Sequence, residues 1–238
     1  MKRLLFFIVG QFLFVMGSTA QAQQELIDSL STIENLIAKQ PKEVELYLKK
    51  AALQTELEQY DKALETYNKT LAIMPGNLTA LYYRGYVNNQ LKRYEAARKD
   101  YTAVLLVEPQ NLHAMIGLIH TDLADSRNTI AFDGANHIVD LFPNEAEAYA
   151  TRSEVEEKLN MISAATDDME HAVALEKPKA EKKYPFELDD DIVSYQLALF
   201  SLYLKQKKTH DALSCIDYLE KNGCPKLFLG KYRSQILK

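Results

Sequence analysis

This chain has no tryptophan, only two cysteines, and just eight glycines and seven prolines among 238 residues. So little glycine and proline argues against an all-β or loop-rich fold, which needs turn residues at short intervals. Two cysteines cannot build a disulfide scaffold, and no Cys-x-x-Cys spacing offers a zinc site. Basic residues are not in excess: 28 Lys and Arg stand against 33 Asp and Glu, a net charge of −5, so no nucleic-acid partner is expected. Signatures of catalysis are missing as well. There is no HExxH, no GxSxG, no phosphate-binding loop and no dinucleotide fingerprint, so no enzyme, catalytic residue, metal or cofactor is expected. What remains is a globular balance, 47% apolar and 26% charged.

The first 22 residues read as a targeting segment rather than part of the fold. Lys2 and Arg3 precede a short apolar run, Leu4 to Met16, broken only by Gly10 and Gln11. Ala20-Gln21-Ala22 then places small residues where a signal peptidase requires them, and cleavage is expected after Ala22. The run is too short to favour a retained membrane anchor. Loss of Lys2 and Arg3 would take the net charge to −7. The expected location is outside the cytoplasm, periplasmic or secreted. Export makes a bridge between Cys215 and Cys224 chemically possible, but one sits mid-helix and the other past its end, which favours two separate thiols.

Past this segment, two residue types recur at one period. Ala63, Ala97, Ala131 and Ala165 are 34 residues apart, and so are Pro41, Pro75, Pro109 and Pro143. The ladder divides residues 44–179 into four units, 44–77, 78–111, 112–145 and 146–179, each holding two apolar-periodic stretches of helical spacing. Small alanines allow two helices to approach, and the prolines end the second helix of each unit. Tyr67 and Tyr101 lie one turn beyond their alanines and are expected to fill the space between units. Residues 23–43 have the phase of a second helix without a first, a half unit that caps the stack. Ala212 follows Ala165 by 47, which implies a 13-residue insertion at 180–192, with Asp190 or Asp191 capping the next helix. A diverged fifth unit, Val193 to Lys207 and Thr209 to Lys221, and a last helix from Lys226 to Leu237 complete residues 193–238.

A period of 34 with these residues resembles the tetratricopeptide repeat. The match is densest in Leu81-Tyr82-Tyr83-Arg84-Gly85, Tyr94-Glu95-Ala96-Ala97, Tyr101 and Glu108-Pro109. The third unit departs from the pattern. It has Ile119 where the others have Ala51, Gly85 and Ser153, and Ala135 where they have Tyr67, Tyr101 and Met169. A large residue has moved between helices with total volume roughly kept. The resemblance implies an all-α fold, a right-handed α-solenoid of helix–turn–helix units, whose first helices line a concave groove that receives a peptide or protein partner.

On that reading the groove candidates are Tyr82, Tyr83, Tyr86, Asn89, His113, Ile116, His120 and Glu154, with an acidic side formed by Glu147, Glu154 and Glu157. Tyrosine offers large contact area and a polar tip. His113 and His120 are seven apart on one helix face, not the four of a helical metal pair. Asp189-Asp190-Asp191 lacks the glycine and distal glutamate of a calcium loop. The members of the family that grip a C-terminal carboxylate do so with cations. The matching positions here, Leu48, Ala52, Tyr83, His113 and Gly117, carry none. Moving the register by one unit gives Tyr82, Tyr86, Gly117, Glu147 and Thr151, again without a cation. The expected function is a non-catalytic protein- or peptide-binding adaptor of the bacterial cell envelope. The alternative is a glycan-binding or nutrient-uptake accessory, disfavoured by the missing tryptophan.

Overall fold

The computed structural model describes residues 19–180 and 190–236. The expected targeting segment up to residue 18 and most of the expected insertion, 181–189, lie outside the described residues. Twelve helices are described: α1 (Thr19–Lys39), α2 (Val44–Glu56), α3 (Tyr60–Ile73), α4 (Leu78–Gln90), α5 (Tyr94–Val107), α6 (Leu112–Ala124), α7 (Asn128–Leu141), α8 (Ala146–Lys158), α9 (Ile162–Ala180), α10 (Asp190–Lys205), α11 (Thr209–Lys221) and α12 (Lys226–Ile236). No strand occurs among the described residues. Helix α1 begins four residues ahead of the expected cleavage site. Helix α10 starts at Asp190, three residues earlier than the sequence pattern places it, and both Asp190 and Asp191 lie in its first turn. There their carboxylates offset the exposed N–H groups of the helix end.

The chain divides into two compact units, one running to Arg127 and one from Asn128 to Lys238. In the first, each helix packs on the next from α1 to α6; in the second the same holds from α7 to α12. The ladder alanines Ala63, Ala97, Ala131, Ala165 and Ala212 are all fully buried, as their small size at close helix approaches requires. Tyr67 and Tyr101 are buried too, and so are Ile119 and Ala135. Cys215 and Cys224 are buried free thiols, pushed up in pKa chiefly by that burial. Asn77 and Asn111 cap α4 and α6, each side-chain oxygen accepting from the backbone N–H three residues on, at 2.8 and 2.9 Å.

Five helix ends among the described residues share one backbone geometry. Glu58, Lys92, Ser126, Asn160 and Lys207 each have a positive φ of 56 to 61°. The next residue donates its N–H to a carbonyl five residues back, as Gln59 does to Gln54 at 2.8 Å and Arg93 to Asn88 at 2.8 Å. These are Schellman ends, which favour glycine because a Cβ is strained in the left-handed region. None of the five has glycine. Lys92→Gly should therefore raise stability by about 0.5–1 kcal/mol, and Asn160→Gly by less, since asparagine tolerates this conformation. Denaturant midpoints of the two variants check this ordering.

Each unit also holds a partly buried polar quartet. In the first, Arg84 on α4 donates to both oxygens of Asp100 on α5, at 2.9 and 2.6 Å, and to Asn68 Oδ1 on α3 at 2.9 Å. The Asn88 amide donates to the same Asp100 carboxylate at 3.1 Å. In the second, Arg152 on α8 grips Asp168 on α9 through bonds of 2.5 and 2.8 Å and donates to Asn136 Oδ1 on α7 at 3.3 Å. The corresponding residues are 68 apart, two periods of the ladder. The place of Asn88 is taken by Glu156.

Candidate functional site

Tyr101 sets the geometry of the first unit. Its ring lies between α4 and α6, against Gly85 on one helix and Gly117 on the other. A Cβ at Gly117 would stand 2.5 Å from ring carbons of Tyr101, and one at Gly85 would stand 3.1 Å away. Glycine at these positions lets both helices close on one aromatic ring, bringing the first-helix faces of α4 and α6 side by side.

On α4 the four-residue spacing puts Tyr82 and Tyr86 on one helix face. The Tyr82 ring meets Tyr83 edge-on at 4.9 Å and Tyr101 at 5.7 Å, while Tyr83 stacks on Tyr67 at 6.3 Å. Four tyrosines thus form a continuous chain from α3 through α4 to α5. Tyr82, Tyr83 and Tyr86 are half-buried, so each keeps an accessible part. Burial, helped by nearby Tyr60 and Glu58, pushes the Tyr86 phenol up to about 12, and burial alone raises Tyr83. These phenols stay neutral donors and acceptors throughout the physiological range. Asn89, one turn further along α4, has its Oδ1 buried with no hydrogen-bond partner among the described residues.

On α6, His113 is exposed and His120 half-buried. Ile116, read from the sequence as a groove residue, is only 6% exposed and belongs to the core. Helix spacing puts it on the same broad face as the histidines, but it is buried where His113 is exposed. Glu154 stands exposed on α8, in the unit that begins at Asn128. The first unit thus carries Tyr82, Tyr83, Tyr86 and Asn89 on α4 and His113 and His120 on α6, two helices that pack against each other.

The second unit has a different character. Tyr195 on α10 is raised in pKa by burial and then by the carboxylates of Asp191, Glu147, Glu176 and Glu154. Glu157 pairs with Lys205. Of the acidic side read from Glu147, Glu154 and Glu157, the first two thus act on a tyrosine that no sequence pattern pointed to, while Glu157 is held by Lys205. Tyr195 lies past the expected insertion, where the 34-residue register is lost. Among the described residues no three His, Cys, Asp or Glu side chains converge as a metal site, and no helix is long and apolar enough to cross a membrane.

Residues 56–111 match the family model of the tetratricopeptide repeat. These are the residues that hold the four-tyrosine chain and the first quartet. The fold is that of a tetratricopeptide-repeat protein. Among solved structures, a tetratricopeptide repeat protein from Parabacteroides merdae superposes with a TM-score of 0.71 at 20% identity, over 92% of this chain and 80% of its own. A thermophilic tetratricopeptide protein of Thermus thermophilus gives 0.65 at 20% identity, over 82% of this chain and 100% of its own. MamA from Desulfovibrio magneticus gives 0.56 at 18% identity, over 69% and 99%. No curated protein matches this chain. At these identities the likeness is one of tetratricopeptide architecture, and the aromatic face of α4 and α6 is a property of this chain's own residues.

Proposed function

We propose that this protein is a non-catalytic adaptor that holds a segment of a partner protein on the first-helix face of α4 and α6. The tyrosine face carries the reading. Three half-buried phenols and two histidines present large area with polar tips, the residue chemistry of protein-binding hot spots, on a fold whose repeats are suited to binding extended segments. The face is rich in phenol rings and amide groups, so it suits a segment recognised through apolar side chains and backbone amides. The acidic surroundings of Tyr195 in the other unit would favour partners with a basic stretch.

Tyr82 packs on both Tyr83 and Tyr101, so truncating it would disturb the fold together with any contact. A photo-crosslinking residue at exposed His113 probes the face more cleanly. It should form a defined adduct with a partner in living cells, while the same residue at Leu106, 80% exposed at the end of α5, should not. Equal labelling from both positions, or none from His113, would count against this face.

The setting proposed for this activity is the bacterial envelope, on the strength of the basic, apolar and small-residue pattern of the first 22 residues. Fractionation followed by N-terminal sequencing should find a mature chain that starts at Gln23. An intact Met1 chain in the cytoplasm would refute this assignment.

A further inference from the structure

The two quartets differ in one member. In the first unit the Asn88 amide donates to Asp100. In the second, the equivalent position holds Glu156, which is 5% exposed. Its neighbour Asp168 already takes two bonds from Arg152. The Glu156 Oε2 atom is buried with no hydrogen-bond partner among the described residues. An ionised glutamate cannot do what the asparagine amide does; a neutral carboxylic acid can, because it has an O–H to donate.

We propose that Glu156 holds a proton shared with Asp168, which makes the α8–α9 hairpin a pH-responsive element of the unit that begins at Asn128. With the proton in place, the quartet is satisfied like its counterpart. Without it, two carboxylates compete for one guanidinium in a buried site, and the hairpin loosens. The charged groups acting on Glu156 are Asp168 and Asp167 on α9 and Arg152 on its own helix. Helix α7 contributes the neutral Asn136 amide, which is bound to Arg152. Burial first, and the Asp168 carboxylate second, push the Glu156 carboxyl up to about 7, against the partial opposition of Arg152.

The sign follows from proton linkage. The folded state keeps a proton that the unfolded chain releases near the ordinary carboxylate value of about 4.3, so stability is highest below that value and falls as pH rises toward about 7. One linked proton changes the folding equilibrium roughly tenfold per pH unit across this window.

The test compares unfolding of the full chain and of Glu156→Gln at pH 5.5 and pH 8. The glutamine supplies a donor without titrating, as Asn88 does. The variant is expected to be the more stable protein at pH 8 and to lose at least a tenfold part of the wild-type pH dependence. Identical pH dependence in the two proteins would overturn the proposal. If the variant does not fold, carbon-detected NMR titration of the wild-type Glu156 carboxyl decides. A midpoint above 6 supports the shared proton, and a midpoint in the ordinary carboxylate range overturns it.

Discussion

Arg84→Leu should lower the stability of the unit that runs to Arg127 by about 3 kcal/mol, a fall of roughly 10 °C in its melting temperature. The reason lies with the group left behind. Asp100 is 3% exposed, and Arg84 supplies two of the three hydrogen bonds to its carboxylate. Removing the guanidinium leaves a buried charge held by one neutral amide. Asp100→Leu should be milder, because Arg84 is partly solvent-exposed and keeps its bond to Asn68. Replacing both residues by leucine should recover most of the loss, since the cost of a broken buried pair is mainly that of the orphaned partner. Calorimetry of the three variants tests this order. If Asp100→Leu proves the worst of them, the carboxylate is not the vulnerable group.

Gly117→Ala should cost about 2 kcal/mol net, although alanine is the better helix former by about 1 kcal/mol. Its methyl would stand 2.5 Å from the Tyr101 ring, and that ring has Gly85 and α4 on its other side. Gly85→Ala meets the same ring at 3.1 Å, so overpacking and helix propensity should nearly cancel there. In a Tyr101→Leu background the order should reverse, with Gly117→Ala becoming neutral or stabilising. Urea unfolding of the double-mutant cycle reads this coupling directly. No coupling between positions 101 and 117 would mean that the ring does not set the approach of α6.

Much of the scaffold is legible in the sequence because a period of 34 repeats the same physical demands. The alanines must be small where helices close, and the prolines must end helices. Tyr67 and Tyr101 fill the volume that the alanines leave. The site is less legible. Ile116 shares a helix face with His113 and His120, but helical phase alone does not say that Ile116 is the buried one of the three. The quartets escape a search at 34, since their residues return only after two periods: Thr66 and Gly134 occupy the positions one period before Asp100 and Asp168. Tyr195 lies beyond the point where the register is interrupted, so no ladder position indexes it. Contacts between helices, not spacing along one helix, decide these cases.

The chain of rings from Tyr67 to Tyr101 has an optical consequence. There is no tryptophan to mask it, and centroid separations of 4.9 to 6.3 Å bring the four phenols close enough for their transitions to couple. All four belong to the unit that runs to Arg127. The near-ultraviolet circular dichroism of the native protein should therefore carry a distinct coupled-tyrosine contribution from this half of the chain. That gives a label-free signal for its unfolding, and for any partner that docks against the tyrosine face.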